Sequence, residues 1–80
     1  MQNKPDIERL DVTGHKCPVP VLRVRRKIEE MRIGEHLFVQ ATDPMTQLDF
    51  PHFCQESGHE LLEMSEDGDI YHFLIKKSGA

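Results

Sequence analysis

The sequence predicts an α/β (α+β) fold, a two-layer sandwich of order β-α-β-α-β-β with a four-stranded mixed sheet and two helices on one face. Three observations predict it. Val21, Val24, Ile28 and Met31 recur at i, i+3, i+7 and i+10, which is one stripe of a helix. Near the end of the chain, Asp67-Gly68 lies between two apolar runs, a strong hairpin signal. Finally, 80 residues of which 38% are hydrophobic suffice for one small core, so residues 1–80 are expected to form a single domain.

Taken in order, Ile7 to Val12 alternates as a short strand and is stopped by Thr13-Gly14. A first helix is predicted from about Pro18 to Arg32. Proline is tolerated in its opening turn, where the missing amide would have no intrahelical partner. This puts Cys17 at the cap and Pro18 at the first helical position, with Gly34 as the stop. Leu37 to Ala41 reads as a strand with Leu37, Val39 and Ala41 on one face, broken by Thr42-Asp43-Pro44. Pro51 is ill suited to a helix interior, so the second helix is expected to be capped near Asp49, with Pro51 in its first turn, and to end at Gly58. Glu60 to Ser65 and Ile70 to Lys77 complete the set as two strands.

Charge is divided along the chain. Lys16 to Arg32 holds six basic residues (Lys16, Arg23, Arg25, Arg26, Lys27, Arg32) against two acidic ones, whereas Asp43 to Asp69 holds eight acidic residues and neither Lys nor Arg. Arg23, Arg26 and Lys27 lie off the apolar stripe of the first helix. With Lys16 they form a candidate docking surface for an acidic partner. No apolar run is long enough to span a membrane, and Met1 to Lys4 lacks the apolar region of a signal peptide, so the expected location is the cytoplasm. Two cysteines without a C-x-x-C pair do not make a disulfide scaffold.

The chemistry converges on Gly14-His15-Lys16-Cys17-Pro18-Val19-Pro20. A cysteine at a helix start feels the positive end of the macrodipole, and Lys16 beside it and His15 nearby would favour the thiolate further. Pro18 and Pro20 remove two of the amides that point out of a helix start, leaving mainly the Val19 N–H to approach the sulfur. That disfavours a phosphate cradle, which needs several donors. No cysteine follows at the spacing of a resolving thiol, so Cys17 would pass its cargo to another molecule. Cys54 beside Phe53 reads as a core residue. His52, Cys54 and His59 do not have a zinc-site spacing, and neither a metal nor a cofactor is expected.

The stretch Leu10 to Pro20, L-D-V-T-G-H-K-C-P-V-P, resembles the signature of the TusA (SirA-like) sulfur-carrier family. The likeness continues through Gly34-Glu35, Thr42-Asp43-Pro44, Asp49 to Cys54, Gly58 to Leu61 and Tyr71 to Lys77, covering about residues 8 to 77. The resemblance implies the same β-α-β-α-β-β sandwich. It also implies that Cys17, supported by Gly14, Pro18 and Pro20, accepts sulfane sulfur as a persulfide from a cysteine desulfurase. The sulfur would then go to a downstream relay protein, as in tRNA thiolation, or into related sulfur traffic. Two positions depart from the pattern. Val19 stands where tRNA-thiolation members often carry Glu, and Met45 stands where a small residue is usual, which leaves the particular pathway open. The rival reading is a thiol-based redox or regulatory module, RNA-associated by analogy with the similar fold of the C-terminal domain of translation initiation factor three. The acidic balance, a single Tyr and the lack of a stacking-aromatic motif argue against direct nucleic-acid binding.

Overall fold

The structure, a computed structural model, describes residues 7–78. Its elements are β1 (Ile7–Val12), α1 (Val19–Glu29), β2 (His36–Ala41), α2 (Thr46–Ser57), β3 (Glu60–Asp67) and β4 (Ile70–Lys76). The strands form one sheet in the order β1-β2-β4-β3. β1 and β2 are parallel, as a helical crossover between neighbouring strands requires, and the other two pairings are antiparallel.

Alternation along the strands decides which side is covered. Leu37, Val39 and Ala41 are fully buried and pair with Ile75, Phe73 and Tyr71 of β4. On the other side of β2, Leu10 and Val12 stand opposite Val39 and Ala41. Both helices press onto this one face. α1 contributes Val24 and Ile28, with Met31 just past its end, and α2 contributes Phe50, Phe53 and Cys54, all in one apolar cluster. At its centre the Phe50 and Phe73 rings meet edge-on, with centroids 4.5 Å apart at 71°. The opposite sheet face carries Arg9, whose guanidinium lies 5.4 Å from the centre of the Phe38 ring, with His72 beyond it.

Three boundaries differ from expectation. α1 begins at Val19, with Pro18 as its cap, and ends at Glu29. Its last turn tightens as the Glu30 and Met31 amides donate to the Lys27 and Ile28 carbonyls, and the Lys77 ammonium donates to the Met31 carbonyl at 2.6 Å. α2 begins at Thr46, ahead of Asp49, so Pro51 sits inside the helix. The cost is one rung, the bond an amide at 51 would make to the Gln47 carbonyl. It is offset because Phe50, Phe53 and Cys54 reach the core only on a continuous helix. Third, β3 continues to Asp67, leaving Gly68-Asp69 as a two-residue connection. Gly68 has φ 64° and Asp69 does not have positive φ, the pattern of a type II′ turn, which places Gly first.

Candidate functional site

Parallel pairing brings Val12 opposite Ala41, so the loops that follow β1 and β2 leave the sheet side by side. The first carries Gly14 to Pro18 and the second Thr42 to Met45, and hydrogen bonds tie them together. The Gly14 amide donates to Thr42 Oγ1 at 2.8 Å, and the Cys17 amide donates to Asp43 Oδ2 at 2.6 Å. Asp43 Oδ1 accepts the Met45 amide at 3.0 Å, while its carbonyl accepts the amide and hydroxyl of buried Thr46 at 3.0 and 2.7 Å. One aspartate therefore holds the backbone just ahead of α2 and grips the backbone of Cys17. Gly14 has φ 82°, a conformation that a side chain resists even though a Cβ there would meet no atom within 4 Å.

At Cys17 the structure corrects the sequence reading. The Val19 amide is already committed to the Lys16 carbonyl at 2.9 Å, and the Cys17–Pro18 peptide is cis. With Pro18 and Pro20 donating nothing, none of the three residues after Cys17 offers a free amide to a thiolate. The side chains act in the same direction. The Asp49 carboxylate beside the thiol, then burial, then the charge of Asp43 push the Cys17 thiol above its ordinary range. The Lys16 cation acts on Asp43 instead, whose carboxyl is held low chiefly by the Met45 and Cys17 amides. The exposed thiol thus sits beside two carboxylates that disfavour its anion.

Asp43 and Asp49 are the residues that sequence reasoning missed at the site, having read them as a strand breaker and a helix cap. The available signal was topological. A predicted β-α-β crossover with parallel strands sends both following loops to the same edge of the sheet.

The other candidates disperse. Pro18 is exposed and Pro20 is buried under the start of α1. Arg23, Arg26 and Lys27 line an open groove with Leu10, Val19 and Leu22, but Lys27 is spent on Glu8 at 3.3 Å. Arg25 packs over the Phe53 ring, and Lys16 is exposed on the thiol loop. Cys54 is buried, and burial pushes its thiol up to about 11. His52 lies 3.6 Å from Glu56, and His59 Nδ1 accepts the Ser78 amide. Among the described residues no group of three or more His, Cys, Asp or Glu is placed to hold a metal ion. Nor is any described helix long and apolar enough to cross a membrane.

Comparison with known proteins gives a consistent picture. Residues 8–77 match the family described as Sulfurtransferase TusA. The chain is 45% identical over 71 residues to the sulfur carrier protein TusA of Allochromatium vinosum, covering 89% of this chain and 93% of that one. Among solved structures, the SirA-like protein of Desulfitobacterium hafniense superposes with a TM-score of 0.76 over 90% of this chain and 97% of that one. At 20% identity, that likeness speaks to the fold.

Proposed function

This chain belongs to the TusA family of sulfur carriers, and from that premise we propose that Cys17 is the residue that carries the sulfur. It receives sulfane sulfur as a persulfide from a cysteine desulfurase and passes it to a downstream relay protein, in tRNA thiolation or related sulfur traffic in the cytoplasm. The observation that carries the reading is the contrast between the two thiols. Cys17 is exposed on a loop fixed at both ends, and Cys54 is sealed in the core. A sulfur held on Cys17 faces no accessible thiol of its own chain that would strip it off as a disulfide.

The same site argues against a stand-alone redox sensor. Sensor thiols react with oxidants as thiolates and so sit at depressed pKa, whereas carboxylates at Cys17 act in the opposite sense. A carrier meets its reactant inside a docked complex, where orientation and partner groups activate the sulfur. Lys16, Arg23 and Arg26 are the exposed cations available to guide an acidic donor, and Leu10, Val19 and Leu22 offer it an apolar floor. Val19, between the prolines where tRNA-thiolation members often carry Glu, gives this floor a different chemistry and bears on which acceptor is chosen.

The test is incubation with a cysteine desulfurase and free cysteine, followed by intact-mass measurement. The wild type and Cys54→Ser are expected to gain one sulfur removable by reductant, and Cys17→Ser none. Equal gain by Cys17→Ser would remove Cys17 from the role.

A further inference from the structure

We infer that Asp43 is a positioning residue for sulfur transfer, fixing Cys17 in one orientation by bridging its amide to that of Met45, the residue that leads into α2. The geometry is a two-sided clamp. One carboxylate oxygen accepts the Cys17 amide at 2.6 Å and the other accepts the Met45 amide at 3.0 Å. The Asp43 carbonyl is anchored by both donors of Thr46, a residue 1% exposed, so the carboxylate extends from a fixed point. The neighbouring Gly14–Thr42 bond at 2.8 Å holds the other end of the thiol loop. On the helix side, Cys17 is followed by two prolines whose nitrogens cannot donate, so Asp43 supplies the amide-level restraint that this segment lacks.

The inference rests on the carrier reading and specifies how the carrier works. In loading, the Cys17 thiol gives up its proton and its sulfur attacks the terminal sulfur of the donor's persulfide. A new S–S bond forms at Cys17, the donor's S–S bond breaks, and the donor leaves as a thiolate that takes up a proton. The sulfane sulfur keeps its oxidation state, so no oxidant or reductant is consumed. Displacement at sulfur needs the attacking atom in line with the breaking bond, and rates fall steeply when that alignment is lost. The clamp keeps the thiol in line at the cost of nearby negative charge. The charged groups around Cys17 are Asp43 and Asp49 from the β2–α2 side and His15 and Lys16 from its own loop.

Asp43→Asn separates position from charge. A neutral amide has one acceptor oxygen and cannot bridge both backbone donors, yet it fills the same space. Two rates are measured over a pH series: alkylation of Cys17 by iodoacetamide, and persulfide loading by a cysteine desulfurase. Urea unfolding confirms the folded fraction. The expected result is a split. Alkylation near neutral pH becomes faster and its midpoint moves down, because a negative charge has gone, while loading slows about tenfold or more. Loading within twofold of wild type, or rising in step with alkylation, would overturn the inference, as would a loading defect matched by the loss of folded protein. Failure of the wild type to load would instead count against the carrier reading itself.

Discussion

Asp43 accepts the amide of Cys17 at 2.6 Å, joining two residues that lie 26 apart in the chain. The contact makes the thiol loop an extension of α2 as much as of α1. The same segment brings Asp49 to the sulfur side, so one carboxylate accepts the Cys17 amide while the other disfavours the thiol's anion. The following predictions test this arrangement and the fold beneath it.

Cys17 should titrate above an ordinary thiol, because the anion would lie beside Asp49 and near Asp43. Asp49→Asn removes the larger cause, so the thiolate becomes easier to form and the midpoint should fall. The rate of iodoacetamide alkylation against pH reads this directly. A midpoint unmoved or raised in the variant would contradict the assignment.

Cys54 should show the opposite of reactivity. Its thiol is pushed up to about 11 by burial, whereas an unfolded thiol releases its proton near roughly 8.5. Between those values the unfolded state ionises first, so this residue's contribution to stability falls as pH rises and is intact below the window. Urea midpoints of wild type and Cys54→Ala, compared from neutral to strongly alkaline pH, should converge as pH climbs. A constant difference would show that Cys54 does not titrate this way.

Phe50 is fully buried against Phe73. Phe50→Ala should cost roughly 3–5 kcal/mol, a large part of the stability of so small a domain. Phe50→Leu, which keeps most of the volume, should cost about 1 kcal/mol. Denaturant unfolding of the two variants checks the ratio, and equal losses would contradict it by showing that the volume Leu restores contributes nothing and the whole loss lies in the ring contact.

Arg26 is exposed beside the apolar groove of α1. Arg26→Glu should slow sulfur loading from a desulfurase by roughly tenfold at low ionic strength, with the difference shrinking as salt is added. An unchanged low-salt rate would remove this helix face from donor docking.

Much of this was legible from pattern. The stripe Val21, Val24, Ile28, Met31 and the alternation Leu37, Val39, Ala41 named core residues that are buried except for Val21, which is partly buried against the cluster, because periodicity records which side of an element meets the core. The ends of the helices were less legible, and for a physical reason. Pro51 carries a local penalty that pointed to a later start for α2, and burial of Phe50, Phe53 and Cys54 overrides it. At the site, Cys17 and its prolines are local in sequence and could be read there. The two aspartates beside it come from the β2–α2 loop (Asp43) and from α2 itself (Asp49), and only the parallel pairing of β1 with β2 brings them near.

The central claim is that sulfur rides on Cys17. The most direct measurement loads the wild-type protein from a desulfurase with sulfur-labelled cysteine, traps persulfide with an alkylating agent, digests without reductant and locates the label. The account predicts label on the peptide containing Cys17, lost on reduction, with none on the peptide containing Cys54. Label on Cys54, or label that survives reduction, would contradict it.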